Sequence, residues 1–325
     1  MGLLIDGVWH DQWYDTQKNK GQFIRDQSQF RNWITGDGDS GPTGNAGFKA
    51  EPERYHLYVS YACPWAHRTL IFLSLKELTP HISVNVVHPH MLENGWAFDS
   101  LDPFLHDSVN HSHYLYEVYL KANANYSGRV TVLVLWDKKQ SCIVNNESSD
   151  IIRMFNNAFN PITGNTQDYY PKDLQTDIDN LNQFIYENIN NGVYRCGFAT
   201  TQAAYEQAFD KLFSALNDLE KRLDKGPYLF GDRITESDWR AFTTLIRFDA
   251  VYFGHFKCNL KQIKDYPKLS AYLKQLYTYP GIAQTVHLDH IKQHYYFSHK
   301  QINPTQIIPK GPLLDWQQSL YYTGS

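Results

Sequence analysis

Cysteine and methionine are scarce in this chain, at 4 and 3 of 325 residues. The cysteines, Cys63, Cys142, Cys196 and Cys258, stand 79, 54 and 62 residues apart. No pair has metal-ligand or Cys-x-x-Cys spacing, and so few in so long a chain make no disulfide framework. A reducing, cytoplasmic setting is expected. An excess of basic charge is also missing: Lys and Arg number 30 against 34 Asp and Glu, for a net charge of −4. That excludes an electrostatically driven nucleic-acid binder as a first reading. Long apolar runs are absent too; the notable one, Val130 to Trp136, is seven residues and includes Thr131. It is too short to span a bilayer, so no membrane association is expected. Met1 to Asp11 shows no basic stretch followed by an apolar core, so no secretory leader is expected.

What is abundant is aromatic: 23 Tyr, 18 Phe and 8 Trp. Buried, they form a bulky core; lining a cleft, they stack on a flat or apolar ligand. Residues 1–50 carry Trp9, Trp13, Tyr14, Phe23, Phe30 and Trp33 without a sustained period. Disordered arms are poor in aromatics, so this stretch is expected to pack on the body as an extension.

From Tyr55 the pattern sharpens. Tyr55 to Ser60 reads as a strand, Tyr61 to Pro64 as a turn, Trp65 to Lys76 as a helix, and Ile82 to Val87 as a second strand. Val130 to Trp136 predicts a third strand and Ser141 to Val144 a fourth, followed by a helix over Glu147 to Ala158. Beyond Pro171 strand patterns stop. Tyr205, Phe209, Leu212, Phe213, Leu216, Leu219 and Leu223 step by threes and fours, as on an amphipathic helix. Thr235 to Asp238 reads as a helix N-cap. The expected architecture is an α/β N-terminal domain, ordered β-α-β and then β-β-α, plus an all-α C-terminal domain. Its boundaries are 1–50 for the extension, 51–160, 173–300 for the helical domain, and 301–325 for an irregular tail.

Cys63 is the first candidate for chemistry. It sits where a strand gives way to a helix, just before Pro64, and helix N-terminal amides favour a thiolate there. Two residues past Pro64 stands Ala66 and not a second thiol. Any mixed disulfide must therefore be resolved from outside. Glu147 and Ser148 open a helix directly after a strand, where free amides bind anions, although such residues also suit an ordinary helix start. Tyr194 follows Asn190-Asn191-Gly192-Val193, which reads as a helix end exposing it; Tyr252 and Tyr295 lie in loop-like or polar surroundings. Each phenol could protonate a leaving group or simply pack. The histidines His88, His90, His106, His111 and His113 show no ligand spacing on a clear element with an acidic or Cys partner, and no metal is expected.

The stretch Ser60-Tyr61-Ala62-Cys63-Pro64-Trp65-Ala66-His67-Arg68-Thr69, with Asn94-Gly95-Trp96, Tyr126-Ser127-Gly128-Arg129, Asn146-Glu147-Ser148, Asn190 to Tyr194, Arg247-Phe248-Asp249 and His294-Tyr295, resembles the glutathionyl-hydroquinone reductases, the xi class of glutathione transferases. The resemblance implies an α/β thioredoxin-like N-terminal domain that binds glutathione, an all-α glutathione-transferase-like C-terminal domain, and a homodimer. It implies reduction of glutathionyl-hydroquinones by glutathione, which is substrate and reductant, with no further cofactor. It makes Cys63 the nucleophile. Trp96, Arg129, Val132, Glu147 and Ser148 then contact glutathione, and Tyr194, Tyr252 and Tyr295 line the hydroquinone pocket. Two other readings share these residues: an omega-like thioltransferase or dehydroascorbate reductase, and a non-catalytic glutathione-transferase-like binding protein. One departure stands out. Leu133 replaces the proline that follows a cis bond in thioredoxin folds. A non-proline cis bond costs about 3–4 kcal/mol. Either the 132–133 bond is trans and glutathione binding is weakened, or the surrounding structure holds it cis.

Overall fold

The computed structural model describes residues 2–99, 101–102 and 104–318, so residues 319–325 of the expected tail lie outside the described residues. The chain forms two compact units. The first comprises Met1–Trp13, Asp26–Asp168 and Thr285–His294; the second comprises Tyr14–Arg25, Tyr169–Gln284 and Tyr295–Ser325.

The first unit opens with a hairpin, β1 (Leu3–Ile5) and β2 (Val8–His10), joined by Asp6-Gly7. Both turn residues have positive φ, 48° and 80°. Asp-Gly adopts that conformation readily, and the resulting twist suits a two-residue hairpin. The main sheet follows: β3 (Tyr55–Val59), α1 (Pro64–Leu75), β4 (Ile82–Val86), α2 (Leu115–Ala122), β5 (Gly128–Arg129), β6 (Val134–Asp137), β7 (Cys142–Asn145) and α3 (Ser148–Asn157). Its strand order is β4-β3-β6-β7, while β5 joins the hairpin in a second sheet ordered β2-β1-β5. β3 and β4 run parallel through the α1 crossover, with Tyr55 opposite Ile82; β6 and β7 are antiparallel additions. β3 is buried along its whole length, which explains its near-continuous apolar sequence. A βαβ start followed by a β-hairpin and helix is the thioredoxin-like order expected.

Two local features have physical causes. The run Val130 to Trp136 is not one strand: β5 ends at Arg129, β6 begins at Val134, and residues 130–133 lie between them. Apolar character there reflects burial, since Val130, Val132 and Leu133 are all buried. Within that segment the Val132–Leu133 peptide is cis, the second of the two alternatives the sequence leaves open. The buried residues on either side hold the segment in a packed core.

The second unit is helical. It contains α5 (Gln175–Ile185), which follows the short α4 (Asn160–Thr163) of the first unit, then α6 (Gly192–Gly197), α7 (Gln202–Arg222), α8 (Glu236–Arg247) and α9 (Pro267–Tyr277). α10 (Leu288–Ser298) contributes residues through His294 to the first unit and from Tyr295 to the second; α11 spans Asp315–Gln318. Every residue of α8 is buried, so it is the central helix of its unit. Its start is a capping box: Asp238 accepts from the Thr235 amide at 2.8 Å, and also from the Leu229 amide and the Tyr272 hydroxyl, each at 2.9 Å. α5 and α8 each run into a wide π-type turn, Tyr186–Asn190 and Phe248–Tyr252. These are closed by bonds from Asn191 N to Tyr186 O and from Phe253 N to Phe248 O, both 2.9 Å. Such turns often mark functional positions. Here they precede or carry Tyr194 and Tyr252.

Candidate active site

In the first unit, β3 ends at the turn that delivers Cys63. The Cys63 amide donates to Ser60 O at 3.1 Å, and its carbonyl accepts the first helical bond from His67 N at 3.0 Å. Cys63 is the N-cap of α1 and Pro64 occupies the first turn, where no amide hydrogen is required. The thiol is half-buried, and its Sγ lies 3.7 Å from the Val132 carbonyl, to which it donates. This contact brings two expected site residues together. Cys63 also borders the cluster of buried side chains that contains Trp96 and Val132.

His67 and Arg68 follow Cys63 on α1. His67 Nε2 meets Thr285 Oγ1 at 2.8 Å; Arg68 lies over the Trp65 ring at 4.5 Å and donates to Ser148 Oγ at 3.3 Å. Arg68 therefore ties the thiol-bearing helix to the start of α3. There Glu147 is the N-cap, its carboxylate accepting from the Ser149 amide at 3.1 Å and from the Ser28 hydroxyl at 3.1 Å. Ser148 Oγ is 3.5 Å from Glu147 Oε1. Behind this cap, Arg31 makes a two-pronged pair with Asp150, at 2.5 and 2.9 Å, and the Asn145 amide donates to the same carboxylate at 3.1 Å. The N-terminal stretch thus braces the start of α3.

Trp96 is buried, and its indole stacks on His294, centroids 4.7 Å apart and planes at 24°. His294 Nδ1 donates to Pro89 O at 3.0 Å, which fixes the ring. Trp96 Nε1 has no hydrogen-bond partner among the described residues, leaving a buried donor for a ligand acceptor. Gly95 precedes it at φ +72°, and a Cβ there would meet the Trp9 ring at 2.8 Å. Asn94-Gly95-Trp96 therefore needs its glycine for both turn and packing. Arg129 serves the N-terminal stretch: it donates to the Gln12 and Trp13 carbonyls and pairs with Asp26 at 3.5 Å.

In the second unit, Tyr194, Tyr252 and Tyr295 come together although they lie far apart in sequence. Tyr295 is central, its hydroxyl 2.5 Å from Tyr194 Oη and 2.9 Å from Tyr252 Oη. Tyr194 sits inside α6 at 9% exposure, not exposed at a helix end, because the chain after Asn191 starts a new helix. Tyr252 and Tyr295 are 0% and 1% exposed, which replaces the loop-like surroundings expected for them. Burial pushes both phenols well above their ordinary pKa, and neighbouring Tyr194 adds to the rise while Arg247 opposes it. They remain protonated donors at neutral pH. Phe256 stacks on Tyr252 at 5.4 Å and meets the Tyr194 ring edge-on at 5.4 Å. Among the described residues no group of three or more His, Cys, Asp or Glu could hold a metal, and no helix is long and apolar enough to cross a membrane.

Residues 62–158 match the family described as glutathione S-transferase, N-terminal domain, and 202–275 match its C-terminal domain. The chain is 57% identical over 318 residues to the glutathionyl-hydroquinone reductase YqjG of Escherichia coli, covering 98% of this chain and 96% of that one. A glutathione-bound structure of that protein superposes with a TM-score of 0.90 over 97% of each chain, at 54% identity. The glutathionyl-hydroquinone reductase PcpF of Sphingobium chlorophenolicum is 52% identical, with 96% of each chain covered. A xi-class glutathione transferase from Natrialba magadii superposes with a TM-score of 0.91 at 46% identity, covering 98% of this chain and 95% of that one.

Proposed function

The chain belongs to the glutathionyl-hydroquinone reductases, the xi class of glutathione transferases, and on that footing we propose that it reduces glutathionyl-hydroquinones to hydroquinones through Cys63. The observation that carries the mechanism is the thiol at the N-cap of α1, beside the Val132 carbonyl and with no second thiol in its turn. Amides at that helix end favour the thiolate, the nucleophilic form.

In the first step Cys63 attacks the glutathionyl sulfur of the aryl thioether. A sulfur–sulfur bond forms as the carbon–sulfur bond breaks. The electron pair passes to the ring carbon, which takes a proton from a tyrosine, and hydroquinone leaves. In the second step free glutathione gives its thiol proton to the tyrosinate and attacks the glutathionyl sulfur on Cys63. Glutathione disulfide leaves and the Cys63 thiolate returns. Glutathione is the only co-reactant, and no metal or other cofactor takes part.

Glutathione is held by the first unit, with Glu147 and Ser148 at the start of α3 taking its γ-glutamyl end. Val132 pairs with its cysteinyl backbone, and Trp96 Nε1 supplies a donor. Arg129 acts here by fixing the N-terminal stretch through Gln12 and Trp13. The three tyrosines serve the hydroquinone. Their hydroxyls form one hydrogen-bonded cluster around Tyr295, and each carries a phenolic proton. Tyr194 is the most exposed of the three and is the outward donor. A homodimer and a cytoplasmic location complete the proposal. Steady-state turnover of a glutathionyl-hydroquinone by wild type and Cys63→Ser tests it: loss of at least 10³-fold is expected, and retained turnover in the variant would refute it.

A further inference from the structure

The strap Tyr14–Arg25 packs within the helical unit and brings a cation to the tyrosine trio. Arg25 lies with its guanidinium carbon 5.0 Å from the centroid of the Tyr194 ring and 5.4 Å from that of Phe23. Its Nε donates to Asn191 Oδ1 at 3.3 Å, three residues before Tyr194. Phe23 is buried and stacks on Tyr194 at 6.4 Å. The guanidinium is thus fixed from two sides over the face of the phenol. That phenol is the least buried of the three and is bonded to the Tyr295 hydroxyl at 2.5 Å.

We infer that Arg25 is a positioning residue for the proton-donating step, holding Tyr194 in place and stabilising the negative charge that grows on its oxygen as the proton leaves. The inference rests on the tyrosine assignment proposed above. A cation over an aromatic face is attracted by the ring's negative quadrupole. The attraction strengthens when the ring becomes a phenolate, because a full opposite charge then faces the guanidinium in a half-buried setting. It is therefore larger in the transition state than in the ground state, which is the condition for raising kcat and not merely tightening binding. Planar Arg fits this role better than Lys, since it stacks and hydrogen-bonds at once. Nothing in the glutathione chemistry of the first unit requires it.

The strap has anchors of its own, so replacing Arg25 need not release it. Thr200 N donates to Gly21 O at 3.0 Å, Thr201 Oγ1 to Lys20 O at 3.3 Å, and Phe23 is buried against Phe198 at 5.4 Å. A purely structural Arg25 would affect every substrate alike. A charge-stabilising Arg25 affects only the substrate whose leaving group needs a proton.

The test uses full-length Arg25→Met and Arg25→Lys, with thermal unfolding to confirm folding, and two substrates: a glutathionyl-hydroquinone and a glutathione mixed disulfide. For Arg25→Met we expect kcat on the glutathionyl-hydroquinone to fall about 5- to 30-fold, with KM for glutathione within about twofold and disulfide reduction within about threefold. Arg25→Lys, which keeps charge without the planar stack, should recover part of the loss. In a Tyr194→Phe background, Arg25→Met should add no further loss. Equal losses on both substrates, no loss on either, or an additive loss on top of Tyr194→Phe would overturn the inference. If Arg25→Met does not fold, Arg25→Lys alone decides, since its loss must be confined to the glutathionyl-hydroquinone. The tyrosine assignment fails separately, on Tyr194→Phe itself showing no selective loss.

Discussion

Tyr295→Phe removes one oxygen from the centre of the hydroxyl chain and leaves the ring. In the wild type that oxygen lies 2.5 Å from the Tyr194 hydroxyl and 2.9 Å from that of Tyr252. Each neutral hydrogen bond contributes about 1 kcal/mol net, and a buried hydroxyl left short of a partner costs about 1–3 kcal/mol. Tyr252 is fully buried and loses its bond to Tyr295, while Tyr194 is the more exposed of the two. The expected destabilisation is therefore about 2–4 kcal/mol. Catalytically, Tyr194 loses the group that fixes its proton's direction and replenishes it. Positioned donors contribute about 10²–10⁴-fold to a proton-transfer step, and turnover of a glutathionyl-hydroquinone should fall within that range. Reduction of a glutathione mixed disulfide, whose leaving thiolate needs little protonation, should change by less than about threefold once the folded fraction is matched. Denaturant unfolding measures the first effect, and parallel steady-state assays of the two substrates measure the second. Equal losses on both substrates would make the trio structural and sink the donor argument.

Three further outcomes follow from other parts of the molecule. His56 and His255 are buried, which pulls both from an ordinary value of 6.5 to about 4. As pH falls from 6.5 toward 4 the unfolded chain binds protons that the native chain refuses, so stability is complete above that window and lost through it. From pH 8 to pH 5 each should cost about 2 kcal/mol, and His255→Phe should show a correspondingly smaller pH sensitivity in denaturant titrations; an unchanged one contradicts the assignment. Arg54 grips Asp137 at 2.6 Å with both side chains buried. Asp137→Asn should cost about 3 kcal/mol, because Glu51 at 2.9 Å compensates only part of the stranded charge; a loss under 1 kcal/mol in urea unfolding would count against it. Gly197 lets α6 approach Phe256 so closely that an added Cβ would lie 2.2 Å from its ring. Gly197→Ala should therefore disturb the Phe256–Tyr194 contact and lower both stability and glutathionyl-hydroquinone turnover, and a fully active variant would show that the cage tolerates shifts.

Much of the first unit was legible because its signals are local. Strand, turn, Cys-Pro and helix follow one another in sequence, and Pro64 marks the helix start that positions Cys63. Asp6-Gly7 between Leu3-Leu4-Ile5 and Val8-Trp9 is an equally local hairpin signal, but the absence of a sustained period hides it. Val130 to Trp136 misled because burial and strand formation leave the same apolar signature, and only pairing separates β6 from residues 130–133. The burial of the tyrosine trio is not legible in the sequence: Asn190-Asn191-Gly192 looks like a helix end, and a π-type turn running into a new helix leaves no distinct pattern. Trp96 on His294 and Arg25 over Tyr194 were not legible as contacts, since each joins residues brought together only by the fold. The aromatic richness of the N-terminal stretch was the one hint that it would serve the tyrosines.

The most direct test of the account is a single turnover without free glutathione. Purified enzyme is mixed with a molar equivalent of a glutathionyl-hydroquinone, quenched in acid, and read by intact-protein and peptide mass spectrometry while released hydroquinone is quantified. The account predicts one glutathionyl group per chain, located on Cys63, released by later addition of glutathione, and one hydroquinone formed per adduct. Hydroquinone formed with no adduct on Cys63, or turnover retained by Cys63→Ser, would contradict it.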